Sequence, residues 1–294
     1  MRRRAEVTGV TWRQLRRETA KAIADPAQVR WLLEEASGLD GVRLLRELDC
    51  QAPPGAAARL ESLVQRRLSG EPLQHVLGHW GFRTLDVVVD SRVLVPRPET
   101  EVVVTVALSE VDRLCTLQSG PEVLVVDLGT GSGVIALSLA MERAAVRVIA
   151  TDRDPAALEV AAVNLSGITT EAAARVQFCQ GDWYQALPLD LAGQIAVIVA
   201  NPPYLAEPEW AGLDPTVSGF DPFGALVAGP SGLEAIETIV TGAPAWLGRR
   251  GALVVEIAPA QAGPVLEMAR EAGFPTASVE DDLAGRARVL VAER

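Results

Sequence analysis

Asn201-Pro202-Pro203-Tyr204 follows the apolar run Ile198-Val199-Ala200 and carries the most specific chemistry in the chain. Two prolines fix the backbone and remove N–H donors, so such a segment presents carbonyl acceptors. The side-chain oxygen of Asn201 and the carbonyl of Pro202 can take the two hydrogens of a planar NH₂ group, with Tyr204 against its flat face. An amide or aryl amine is a poor nucleophile because its lone pair is delocalised. Fixed acceptors on both N–H groups aim the nitrogen and support the positive charge that builds as it attacks.

A second constellation begins where Val123-Leu124-Val125-Val126-Asp127-Leu128 runs into Gly129-Thr130-Gly131-Ser132-Gly133. Glycines there let the backbone turn sharply and approach a ligand with no Cβ in the way. The dinucleotide fingerprint needs a glycine at 134, where Val134 stands, which disfavours a nicotinamide oxidoreductase. Asp152 ends the next apolar run, where an acid can accept from both hydroxyls of a ribose. Gly181-Asp182-Trp183 ends a third: the carboxylate can take an adenine amino group and the indole can stack, although Asp182 can equally cap a turn and Trp183 fill a core. Successive strand–turn–helix units with an acid at the second strand end indicate a nucleoside-bearing cofactor.

The elements that must position these residues are legible in the periodicity. After Glu122, strands are expected at Val123–Leu128, Val146–Thr151, Val176–Cys179, Ala196–Ala200 and Ala252–Ile257, with a closing hairpin of Ala277–Val279 and Ala287–Val291. Helices are expected at Val134–Glu142, Pro155–Leu165, Leu233–Trp246 and Ala260–Glu271. The alternation describes an α/β fold with a mostly parallel sheet. Upstream, Pro96-Arg97-Pro98-Glu99-Thr100-Glu101 opens a helix to about Val111, with Pro98 in its first turn; the glutamates either complement its positive end or line a pocket. Trp80-Gly81-Phe82 and Leu85–Val89 read as a hairpin. The first 75 or so residues read as helices, with Thr11/Gln14 as a capping box, Asp25 as a cap with Gln28 repeating the box, Gly38 as a stop, a short segment near Arg43–Leu48 and a further helix at Ala56–Leu68.

The whole-chain balance bounds the function. The 294 residues carry 27 Lys+Arg against 38 Asp+Glu, a net charge of −11, with 49% apolar residues. An acidic chain lacks the phosphate-neutralising surface of a general nucleic-acid binder. No apolar run reaches membrane-spanning length, and Met1-Arg2-Arg3-Arg4 leads into mixed polar sequence rather than a signal core. Three scattered cysteines and two histidines predict no disulfide framework and no metal site.

Asp127-Leu128-Gly129-Thr130-Gly131-Ser132-Gly133, Asp152, Asp182-Trp183 and Asn201–Tyr204 together resemble the class I S-adenosylmethionine-dependent N-methyltransferases. Gly70-Glu71-Pro72-Leu73-Gln74-His75, Phe82 and Val95-Pro96-Arg97-Pro98-Glu99-Thr100-Glu101 narrow the resemblance to the HemK/PrmC family, and it extends over nearly the whole chain to Val254-Val255-Glu256-Ile257. It implies a Rossmann-like, mostly parallel seven-stranded sheet (98–294), a hairpin linker (76–97) and a small helical bundle that docks the substrate (1–75). It also implies methyl transfer from S-adenosylmethionine, leaving S-adenosylhomocysteine, to the side-chain amide nitrogen (N5) of the Gly-Gly-Gln glutamine in peptide chain release factors. The setting implied is a cytoplasmic monomer that uses no metal. A glutamine methyltransferase of a ribosomal protein, or an amino-methyltransferase of a nucleic-acid base, would share these motifs; the acidic charge speaks against the second. By position, the resemblance assigns Asp127, Leu128, Gly129, Thr130, Gly131, Asp152, Asp182, Trp183 and Asn201 to the cofactor. It assigns Phe82, Glu99, Asn201, Pro202, Pro203 and Tyr204 to the substrate, with Asn201–Tyr204 as the catalytic segment. Two places depart from the family pattern: Arg83 stands where an aromatic is usual, and Phe220-Asp221-Pro222 replaces Tyr-Glu-Pro.

Overall fold

A computed structural model describes residues 9–117 and 122–294. The basic start, Met1 to Arg4, lies outside the described residues. The chain divides into two compact units: one ends at Gly78 and includes Pro215–Phe220, the other comprises His79–Asp214 and Asp221–Arg294.

The first unit is helical. Thr11 and Gln14 form the expected reciprocal capping box at the start of α1 (Trp12–Ala22). Asp25 caps α2 (Pro26–Ser37) by accepting the Ala27 N–H at 2.8 Å. Gln28 does not complete a second box: its Nε2 donates to the Asp25 carboxylate at 3.3 Å, and its Oε1 accepts from Arg67. Gly38 stops α2 in a left-handed conformation (φ 68°), which glycine adopts without steric penalty. α3 (Gly41–Arg46), α4 (Pro54–Leu68) and α5 (Leu73–Leu77) follow. Trp12, Val29, Leu32, Leu33, Leu60 and Leu63 are buried between these helices.

The second unit begins with a hairpin, β1 (His79–Phe82) paired antiparallel with β2 (Leu85–Val88). Arg83 occupies its two-residue turn at φ 52°. Its N–H donates to Glu101 at 3.0 Å and its guanidinium grips the Glu142 carboxylate at 2.6 and 2.7 Å. Arg83 therefore ties the hairpin to two helices, α6 (Pro98–Leu117) and α7 (Val134–Glu142). The departure from an aromatic replaces packing with a forked charge-assisted contact.

A seven-stranded sheet follows. β3 (Val123–Leu128), β4 (Val146–Asp152), β5 (Val176–Gln180), β6 (Ile195–Ala200) and β9 (Leu247–Glu256) are mutually parallel, in spatial order β9-β6-β3-β4-β5. β11 (Ala287–Glu293) runs antiparallel between β9 and β10 (Thr276–Asp281). Strand alternation divides the core: Val125, Val148, Val197 and Val199 face α6 and α7, while Val126, Ile149, Ile198 and Leu253 face α12 (Glu234–Trp246) and α13 (Ala262–Glu271). Burial of both faces explains why these strands read as continuous apolar runs. Smaller elements complete the chain: α8 (Pro155–Leu165) and α9 (Thr170–Ala173) after β4, then β7 (Leu205–Ala206), α10 (Pro215–Ser218), α11 (Phe223–Leu226) and β8 (Val227–Gly229) after β6. The strand order reverses between β3 and β6, so their carboxyl ends flank the crevice where open α/β sheets bind ligands.

Candidate active site

A cavity of about 200 Å³ opens at that crevice. Gly129, Thr130 and Gly131 after β3, Asp152 after β4, Asp182 and Trp183 after β5, and Asn201 and Pro203 after β6 all line it. The sheet thus brings together residues up to 74 positions apart in sequence by ending four parallel strands at one edge.

The glycine turn is built for close approach. Gly129, Gly131 and Gly133 have φ of 73°, 55° and 86°, a region where a Cβ is strained. A Cβ on Gly133 would lie 3.3 Å from that of Ala161, so this glycine also lets α7 approach α8. At Gly131 the same position meets no atom within 4 Å, which leaves its backbone accessible. Asp152 braces the turn: its Oδ2 accepts the Gly131 N–H at 2.9 Å and its Oδ1 the Asp154 N–H at 3.0 Å. Burial raises the Asp152 pKa, opposed by those two N–H groups. Each oxygen keeps a lone pair for a further donor.

Asp127 and Leu128 lie beneath the turn and outside the cavity wall. Asp127 is fully buried, its Oδ2 accepting from the Thr130 hydroxyl at 2.6 Å and the Ala136 N–H at 3.2 Å. Burial pushes its pKa up to about 7 against those bonds, and Asp152 adds repulsion. It holds the loop rather than lining the cavity.

Four residues expected at the substrate lie outside the cavity wall. Phe82 is buried in the core on the α6 and α7 side, because it occupies the inward-facing end of β1. Glu99 points to Arg286, whose Nη2 it meets at 3.1 Å, and does not line the cavity. Pro202 is buried, and Tyr204 packs against the core under α12 and α13, where burial pushes its hydroxyl up to about 12; neither forms cavity wall.

Asn201 does face the cavity. Its Nδ2 donates to Thr100 Oγ1 at 3.1 Å, and Thr100 donates to Glu256 Oε2 at 2.8 Å. Thr100, itself in the cavity wall, and Glu256 were missed by sequence reasoning. The signals were present: Thr100 sits inside the Pro96–Glu101 motif, and Glu256 is an acid ending an otherwise apolar strand segment. Asp221, where glutamate is usual, is buried and pairs with Arg97 at 2.7 Å, fixing the segment whose Pro222, Gly224 and Ala225 close one side of the cavity. Among the described residues, no cluster of His, Cys, Asp or Glu could hold a metal ion, and no helix is long and apolar enough to cross a membrane.

Comparison with known proteins bears on the same elements. Residues 12–78 match the family described as PrmC N-terminal domain, and residues 113–211 that described as methyltransferase small domain. The release factor glutamine methyltransferase of Cereibacter sphaeroides is 40% identical over a stretch covering 90% of this chain and 89% of its own. The chain belongs to the release factor glutamine methyltransferase family. Another member, from Moorella thermoacetica, is 39% identical over 95% of both chains. Membership in a methyltransferase family implies a donor of the S-adenosylmethionine type. The fold is also that of the hMettl16 catalytic domain solved in complex with the MAT2A 3'UTR hairpin 6 (TM-score 0.54, 16% identity, 81% of this chain and 80% of the other), a likeness of fold alone.

Proposed function

We propose that this chain transfers a methyl group from S-adenosylmethionine to the side-chain amide nitrogen of the glutamine in the Gly-Gly-Gln motif of peptide chain release factors, as a cytoplasmic monomer. The observation that carries the reading is the Asn201 amide. Its NH₂ is engaged by Thr100, so its Oδ1 is the end available at a cavity bordered by the glycine turn. An acceptor there suits a donor substrate, and a primary amide has two N–H groups to offer.

The cavity wall fits the methyl donor. The open backbone at Gly131 and the spare lone pairs of Asp152 can take polar groups, and Val134, Ile135, Ala157 and Trp183 supply apolar surface. Gly129, Thr130, Gly131, Asp152, Asp182 and Trp183 would hold it. When bound, it supplies an electrophilic methyl on a sulfonium. The chain's own residues do the rest. Asn201 Oδ1 accepts one amide hydrogen, orients the nitrogen and stabilises its growing charge, and the family resemblance assigns the second hydrogen to the carbonyl of Pro202, whose ring is buried. Pro203 keeps that segment rigid. The leaving group is neutral, so no strong acid is required, and the amide proton leaves after attack.

Incubating the chain with methyl-labelled S-adenosylmethionine and a release factor, then locating the label by peptide mass spectrometry, tests the reading. Label on the Gly-Gly-Gln glutamine is expected; label elsewhere, or none, overturns it. We assign docking of the factor to the helical unit, which contains no chemistry of its own. A folded variant lacking residues 1–75 is expected to keep cofactor binding and methylate the whole factor far more slowly. An unchanged rate would give that unit another purpose.

A further inference from the structure

We propose that Thr100 and Glu256 form a positioning relay that decides which end of the Asn201 amide faces the substrate. The inference rests on the reading that Asn201 accepts from the target amide.

The two ends of a carboxamide are nearly equal in size, so only their hydrogen-bond partners distinguish them. Thr100 and Glu256 are both almost wholly buried, at 2% and 1% exposure. An ionised carboxylate only accepts, so the single Thr100 proton goes to Glu256. The Thr100 lone pairs then face Asn201, which must answer with its NH₂. Oδ1 is left as the acceptor, and it takes nothing from the described residues. The orientation follows from the donor and acceptor inventory.

The three residues come from separate elements that the sheet makes neighbours. Thr100 lies in the first turn of α6, Asn201 follows β6 and Glu256 ends β9, with Ala200 and Val255 paired in register. Removing the Thr100 hydroxyl leaves the amide free to turn. Protonating Glu256 reverses the relay: the acid donates to Thr100, Thr100 donates to Asn201 Oδ1, and NH₂ meets NH₂ at the substrate. Burial pushes the Glu256 pKa up to about 7, opposed by the Thr100 hydroxyl and Arg288 from β11 and reinforced by Glu99 from α6. Tyr204, from the segment after β6, also interacts with it. The reversed state is therefore reached within the ordinary assay range.

The test uses the full chain, Thr100→Val, Thr100→Ser and Glu256→Gln, with single-turnover transfer to a Gly-Gly-Gln-bearing release factor at saturating S-adenosylmethionine and separate calorimetry of cofactor binding. Thr100→Val should slow transfer roughly 10- to 100-fold, the range expected when a buried polar partner is lost. Thr100→Ser, which keeps the hydroxyl, should recover most of the rate, and the calorimetry separates the loss in transfer from any change in cofactor affinity. The wild-type rate should fall below about pH 7. Glu256→Gln cannot take up the proton and should lack that acid limb, whatever rate it retains. A Thr100→Val rate equal to wild type, a Thr100→Ser rate as slow as Thr100→Val, or an acid limb surviving in Glu256→Gln overturns the relay. If Thr100→Val does not fold, the Glu256→Gln profile decides. A wild-type chain that transfers nothing to the factor overturns instead the substrate reading, and this assignment of the relay with it.

Discussion

Two loops leave adjacent strand ends at the crevice, and they solve opposite problems. The turn after β3 uses three glycines at positive φ to fold sharply, with the Thr130, Gly131 and Gly133 N–H groups all bonded within the chain. The segment after β6 uses two prolines, which remove donors and stiffen the carbonyls. On the proposed reading, the first turn meets the cofactor and the second segment an NH₂ substrate. Beneath each loop lies a buried carboxylate that takes a threonine hydroxyl: Asp127 from Thr130 at 2.6 Å, and Glu256 from Thr100 at 2.8 Å. Burial pushes both acids up to about 7. The shared device is a buried carboxylate beneath each loop, outside the cavity wall.

The loops differ in how that support is assembled, and this governs what the sequence reveals. Asp127 and Thr130 are three positions apart, so the first loop and its anchor form one contiguous motif. Its strand and helix, Val123–Leu128 and Val134–Glu142, fall at the expected bounds because glycines and apolar runs mark both ends. Thr100 and Glu256 are 156 positions apart, and nothing local announces that they meet. Only the pairing of β6 with β9 brings them together. Burial is likewise a property of the assembled layers: Phe82, placed at the substrate by the resemblance, lies in the core, and Tyr204, read as a wall from its chemistry, packs partly buried against it. β9 begins at Leu247 rather than Ala252 because Leu247 pairs with Ile195, whereas the intervening Gly248-Arg249-Arg250 carries no strand-like pattern.

The comparison is broken most sharply at the acceptor loop. Asn201→Ala removes a fixed dipole that matters most as the target nitrogen gains charge, so the loss should fall on kcat, not on cofactor binding. Such dipoles are worth about 3–4 kcal/mol, or about 10²–10³ in rate. Single-turnover methyl transfer at saturating cofactor measures it; a rate within about threefold of wild type would remove Asn201 from the assigned role.

At the donor loop the loss should move to binding. Asp152→Ala removes both acceptors proposed for the ribose and the brace on the Gly131 N–H. A reduction in cofactor affinity of about 2–4 kcal/mol is expected from charge-assisted bonds of this kind. Calorimetric titration should show it, while kcat at saturation changes much less. Equal affinities would mean that Asp152 serves the fold alone.

The smallest effect separates the two anchors. Asp127 has a pKa of about 7 in the folded chain, against an ordinary aspartate value of about 3.9 when unfolded. Between those values the folded state binds more protons than the unfolded state, so stability falls as pH rises. The contribution is fully present below about pH 4 and is lost as pH passes through about 7, with a slope of at most ~1.4 kcal/mol per pH unit for one group. Asp127→Asn keeps an oxygen for Thr130 and Ala136 but cannot ionise. Its thermal midpoint should therefore decline less between pH 5 and pH 8 than that of the wild type. Glu256 titrates in both proteins and cancels from the difference, so what remains reports the anchor of the glycine turn. Parallel pH curves would show that Asp127 stays ionised throughout this range, and that Thr130 and Ala136 offset its burial more completely than the unpartnered Oδ1 indicates.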